Sequence, residues 1–230
     1  MTFEERLRAE SLRLYDRYER EIVEGLSFCP YAASAREAGH VRVAAIVTEA
    51  SPTEVAIGVE ELAADPEVDI GILVLPLCTL DRRRFTRFVA EVRELVPARD
   101  AGSFAMAEFH PDPLADVHKP GDLTSFVRRS PDPTIQLVRM RALQQVRAKE
   151  NHGSGYVDPS ELALIERLSA AREPVRPPLH ERIADMNRET IGRLGFDVVV
   201  ARIEDIHRDR EQTYRRLFAE HSFDRRADIG

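Results

Sequence analysis

The run Asp69–Pro76, DIGILVLP, constrains the fold of this chain more than any other stretch. After its aspartate it is near-continuously apolar and rich in β-branched residues, and it follows an Asp-Pro break. Such a run reads as a strand buried on both faces, and that strand needs covering layers on either side. The flanking sequence supplies them. Val41 to Thr48 is rich in β-branched residues and begins with alternation, so a strand is expected there. Ser51-Pro52-Thr53-Glu54 carries helix-start chemistry, and a helical pattern runs from it to about Ala64. Leu80 to Val96 has Phe85, Phe88, Val89 and Val92 on one helical face, and Ser103 to His110 reads as a third strand. The order β-α-β-α-β implies parallel strands joined by right-handed crossovers. The favoured fold is therefore one α/β domain over 1–230, with a small, mainly parallel sheet flanked by helices. Residues 1–115 form its α/β half and residues 116–230 a mainly helical half. An α+β ferredoxin-like sheet stays open, because strand order is not visible in a single sequence.

An amphipathic helix over 3–26 precedes the sheet, ending near Gly25 and Pro30. After His110 the chain becomes irregular, with prolines at 111, 113, 120, 131 and 133 interleaved with Asp. Long loops of this kind often carry function. Beyond them helices are expected over 134–149, 159–172, 179–194 and 204–221. Phe196 to Ile203, FDVVVARI, is expected to add a fourth strand.

The balance of 33 Lys and Arg against 40 Asp and Glu gives a formal net charge of -7. That sign argues against a nucleic-acid or anionic-membrane binder. No apolar run approaches the ~20 residues of a membrane span, and the charged N-terminus does not read as a signal peptide. The two cysteines, Cys29 and Cys78, are too few for a disulfide framework, so a reducing cytoplasmic compartment is the expectation.

No glycine-rich dinucleotide fingerprint, Walker lysine, H-E-x-x-H or G-x-S-x-G is present. Three weaker stretches carry chemistry. Phe109-His110-Pro111-Asp112 closes a predicted central strand, where open α/β sheets bind ligands. There His110 is a candidate general base or metal ligand and Asp112 its orienter. The same residues also fit a strand cap followed by an Asx-turn. The His-Pro-Asp tripeptide of J-domain cochaperones sits between two helices, a context missing here. Arg128-Arg129-Ser130-Pro131 offers forked donors for a carboxylate or phosphate. Ser130 is placed to open a helix whose free N–H groups would help hold an anion. Equally, the arginines fit surface pairs with Asp122 or Asp132. Cys29-Pro30 offers a thiolate for a metal or haem iron, or simply a small buried hydrophobe. The remaining histidines, His207 on a charged helix among them, have no ligand spacing.

Taken together, CPYA at 29–32, FHPD at 109–112 and RSPDPT at 129–134 resemble, in order, a bacterial family catalogued as domain of unknown function 1415. That family's pattern is CPFA, then FHPD with a following aromatic, then NRSPYP leading into a helix like LHLLRE. Asn187 through Gly195, NRETIGRLG, is similar to a later family segment. This chain departs at Arg128 for Asn, Asp132 for Tyr, Gln136 for His and Met140 for Glu, and the aromatic after FHPD is missing. The resemblance implies a divergent member with a shared site, not a particular reaction.

From this, Cys29, His110, Asp112, Arg129 and Ser130 are expected to converge at the carboxyl end of the sheet. A His110–Arg129 separation beyond ~12 Å would break that expectation. The first functional expectation is an enzyme for a small, anionic molecule, with His110 and Asp112 catalytic and Arg128, Arg129 and Ser130 binding the anion. The second is a haem or transition-metal protein with Cys29 or His110 as ligand. The third is a non-catalytic scaffold using the charged terminal helices. A homo-oligomer is compatible with each.

Overall fold

The computed structural model describes residues 1–29, 32–96, 104–112, 126–142 and 179–227. Helix α1 (Phe3–Tyr18) starts from a reciprocal cap, in which the Thr2 hydroxyl accepts from the Glu5 N–H and the Glu5 carboxylate accepts from the Thr2 N–H. It runs into a π-helical turn over Glu19–Glu24, then α2 (Ala32–Glu37) and β1 (Val41–Ala45). Helix α3 (Pro52–Ala64) begins on the expected Ser51/Glu54 box, with Pro52 in the first turn, where its missing N–H costs nothing. Strand β2 (Ile70–Val74) is the anticipated buried strand. Helix α4 (Arg82–Leu95), capped by Asp81, leads to β3 (Phe104–Phe109). Strand β4 (Thr134–Arg139) and helices α5 (Leu179–Leu194) and α6 (Phe196–Ala227) follow.

The four strands lie in the order β1-β2-β4-β3. Only β1 and β2 pair in parallel, while β4 pairs antiparallel to both β2 and β3. The mainly parallel sheet is therefore corrected to a mixed, mostly antiparallel one. Strands β1, β2 and β3 do run in one direction, but β4 wedges between β2 and β3. The ferredoxin-like alternative does not fit either, because the β1–β2 pair is parallel.

Two expectations fail together. The stretch read as the start of a helix over 134–149 is β4. Its Thr, Ile and Val side chains suit a pleated ladder, and Ile135 and Leu137 on one face are fully buried. The stretch read as a strand, Phe196 to Ile203, is instead the first two turns of α6. Gly195, at φ 89°, terminates α5 and lets the chain fold back. From there the buried residues Val199, Ile203, Ile206, Tyr214 and Leu217 recur at helical spacing, while Val198 is 44% exposed. Tertiary burial outweighs the β-branched run. The predicted helix over 159–172 lies outside the described residues.

The sheet is sandwiched. Leu73, Leu75, Ile135 and Leu137 face Val55, Val59, Phe85 and Val92 of α3 and α4. Ile72, Val74 and Phe109 face Leu14, Tyr18, Ile203 and Ile206 of α1 and α6. Gly71 lets α3 pack closely: a Cβ there would lie 2.9 Å from Leu62 Cδ1 and push that side chain aside. Helices α1 and α6 are antiparallel and clamped by Arg13 and Arg17 on Asp209, at 2.9 and 3.0 Å. Among the described residues, no helix is long and apolar enough to cross a membrane.

Candidate functional site

The antiparallel insertion of β4 brings two distant motifs together. Ala45, Val74, Thr134 and Phe109 form one row across the sheet, so the ends of β1, β2 and β3 share an edge with the start of β4. The segment entering β4 at that edge is Arg128-Arg129-Ser130-Pro131. The segment leaving β3 there is His110-Pro111-Asp112. The His110 N–H donates to the Arg128 carbonyl at 3.0 Å, and Arg129 Nε donates to the Pro111 carbonyl at 3.3 Å.

His110 is buried, and both ring nitrogens are engaged. Nδ1 accepts the Asp112 N–H at 3.1 Å, so Nε2 must carry the ring proton, which it donates to the Leu80 carbonyl at 2.9 Å. The ring packs on Phe85, 5.6 Å between centroids. His110 thus ties the end of β3 to the segment that starts α4 and closes the Pro111–Asp112 turn. No lone pair is left for a metal or a substrate proton. The Asp112 carboxylate is exposed and 3.5 Å from Nδ1.

Ser130 is also occupied. Its hydroxyl, fully buried, donates to the Asp132 carbonyl at 2.6 Å, as does that of Thr134 at 2.9 Å. The expected helix N-terminus behind Ser130 is a strand, so no helical anion site exists there. Asp132 is 0% exposed and held by Arg210 Nε at 2.7 Å and the Tyr214 hydroxyl at 2.6 Å. Burial, and then the neighbouring carboxylate, push the Tyr214 phenol far above its ordinary range.

The arginines differ from these scaffolding groups. The Arg128 guanidinium lies over the Phe109 ring at 5.4 Å, and that of Arg129 over Phe126 at 5.9 Å. Neither forms an ion pair among the described residues. Arg129 is buried to 8% exposure, and desolvation lowers its pKa, with Glu204 and Asp112 acting in the opposite sense. Only its Nε has a protein acceptor among the described residues; Nη1 and Nη2 have none. Arg82, donating to the Asp112 carbonyl at 2.9 Å, completes the group, and its pKa is lowered chiefly by desolvation.

Cys29 follows the π-helical turn. Its N–H donates to the Val23 carbonyl at 3.4 Å, its carbonyl accepts from Ala32 at 3.3 Å, and it is close enough to act on buried Tyr15. The described contacts join His110, Asp112, Arg128 and Arg129, with Ser130 next in the chain, while Cys29 reaches Val23, Ala32 and Tyr15. Among the described residues, no group of three His, Cys, Asp or Glu could hold a metal ion.

Sequence reading missed the third wall of the site, which α6 supplies. His207 Nε2 donates to the Arg129 carbonyl at 3.1 Å, and Arg210 and Tyr214 hold Asp132. The spacing i, i+3, i+7 of these three side chains puts them on one helical face, and that was the legible signal. Asp132 appeared as a departure from a family tyrosine and as a surface partner for Arg128 or Arg129; it is instead fully buried and paired with Arg210. A groove of about 420 Å³ opens between α1 and α6, lined by Glu10, Arg13, Asp209, Gln212, Thr213 and Arg216. Its principal charges neutralise one another, Arg13 pairing with Glu10 and Asp209 at 2.6 and 2.9 Å. It lies apart from the strand ends.

The model of the protein family of unknown function DUF1415 matches residues 14–172, and the chain belongs to that family. Comparison with curated proteins and with solved structures found no match.

Proposed function

We propose that this DUF1415 protein holds a small anionic molecule at the carboxyl end of its sheet, with Arg129 as the clamp and Arg128 and Arg82 beside it. One observation carries the reading. Arg129 is a largely buried cation whose two terminal nitrogens have no protein acceptor among the described residues. Those nitrogens are not buried orphans but reach solvent, so an anion offering two oxygens can replace water there with a bidentate, charge-assisted pair. The ring faces of Phe109 and Phe126 support the two guanidinium planes and leave their N–H edges available.

His110, Asp112, Ser130 and Asp132 then serve as the frame that fixes the arginine-bearing segment. An enzymatic role for the site rests on the bound anion and not on His110 as a base. The haem or metal reading draws no support from His110, whose ring nitrogens are both bonded. The scaffold reading loses much of its surface, because α6 turns its apolar face onto α1 and the sheet.

Calorimetric titration of the full chain with inorganic phosphate and with acetate tests the proposal. Hydrogen bonds to charged groups contribute ~1.5–3 kcal/mol each, so Arg129→Gln should weaken binding at least about tenfold while the far-ultraviolet circular dichroism stays unchanged. Saturable binding of equal strength in the variant would refute the clamp.

A further inference from the structure

The histidine best placed to meet a ligand is His207, a residue of α6 outside all three sequence motifs. Its Nε2–H is committed to the Arg129 carbonyl at 3.1 Å. A carbonyl can only accept, so this bond fixes the tautomer and leaves the lone pair on Nδ1. Nδ1 has no hydrogen-bond partner among the described residues. The ring is half-buried and rooted on a helix whose neighbouring residues Ile203 and Ile206 are fully buried, so its position is rigid. The same backbone carbonyl that anchors the ring belongs to the proposed clamp residue.

Resting on the anion-site reading, we infer that His207 Nδ1 accepts a hydrogen bond from a hydroxyl of the anion held by Arg129, which makes the ligand class a small anion that carries a hydroxyl donor, as a hydroxycarboxylate does. The charged groups acting on the ring are Arg129 and Arg210 on one side and Asp132 on the other. Asp132 is already paired with Arg210 at 2.7 Å, and among the charges acting on the ring that of Arg129 is the strongest. A positive neighbour disfavours an ammonium and accepts a neutral hydroxyl. Burial and the two arginines also hold the imidazole below its ordinary pKa, so the lone pair is present at neutral pH. His207 is a ligand-contacting residue here; no proton transfer is assigned to it.

Three probes of matched size separate the possibilities: glycolate, acetate and glycine, titrated into the full chain. The wild-type protein should bind glycolate about fivefold more tightly than acetate, the worth of one neutral hydrogen bond, and glycine no better than acetate. His207→Leu removes the Nδ1 lone pair and leaves no side-chain acceptor in its place, and the glycolate-to-acetate ratio should fall to near one while acetate still binds. In the wild-type protein, long-range proton–nitrogen spectra should show Nδ1 of His207 shifting with glycolate and not with acetate, a readout that needs no variant. A ratio near one in the wild type, a ratio that survives His207→Leu, or preferential binding of glycine would overturn the inference while leaving the Arg129 clamp intact. Undiminished binding of both anions in Arg129→Gln, or no saturable binding at all, would instead remove the anion-site reading and this inference with it.

Discussion

Two buried side chains of opposite consequence show what single residues contribute. Glu19, on the π-helical turn, is 8% exposed, and burial, reinforced by Glu24, raises its carboxyl from the ordinary range to about 7 against the pull of Arg36 and Arg20. The native state therefore binds this proton more tightly than the unfolded chain does. Between the ordinary value of ~4.3 and about 7, stability falls as pH rises. Glu19→Gln should remove that slope, narrowing the difference in urea-unfolding free energy between pH 5 and pH 8 by about 2 kcal/mol. An unaltered slope would place the titration elsewhere. His110 acts in the other direction, making two buried hydrogen bonds and a ring contact with Phe85. His110→Ala should cost about 3 kcal/mol of stability, measured by denaturant titration. A catalytic histidine with a free lone pair would instead tolerate replacement with little loss of stability.

At the scale of elements, the account turns on β4 and α6. Strand β4 carries the arginine segment to the sheet edge, and α6 holds it there through the fully buried Asp132. Asp132→Asn leaves the partly exposed Arg210 facing a neutral amide and should destabilise the protein by about 1.5–3 kcal/mol, the worth of a hydrogen bond to a charged group. Replacing the pair together, Asp132→Asn with Arg210→Met, should recover part of that loss, and a double-mutant cycle reads the coupling. These same elements were the least legible in the sequence. The capped helices α1, α3 and α4 and the buried strand β2 were readable because caps and hydrophobic period are local signals. β4 was not, because Thr134–Arg139 abuts residues with helical propensity and its strand state comes from two neighbouring ladders. Nor was the start of α6, where three consecutive valines argue for a strand until Gly195 and the buried faces of α1 and the sheet are in place. The motif residues His110, Arg129 and Ser130 were found by their proline-bounded setting. Their division into frame and clamp depended on hydrogen bonds that no spacing encodes, and so did the part played by His207.

Over the whole molecule, the mixed sheet explains why the conspicuous chemistry lies at one edge. Strands β1, β2 and β3 end where β4 begins, α4 starts beside that edge, and α6 crosses it, so Arg82, Arg128, Arg129 and His207 approach from three layers. The α1–α6 clamp closes one side of the core. There Arg13, Arg17 and Thr213 hold the Asp209 carboxyl down to about 2, so its stabilising contribution is present above the ordinary carboxylate range and lost on acidification below it. The most direct test of the central claim, an anion held by Arg129 at the strand ends, is a nitrogen-15 NMR titration of the assigned full chain with inorganic phosphate. The account predicts saturable shifts at the Arg129 Nε–H and at the backbone amides of Asp112, Arg128 and Arg129, lost together in Arg129→Gln. Shifts that never saturate, or that fall on the Arg13 and Arg216 groove while Arg129 stays still, would contradict it.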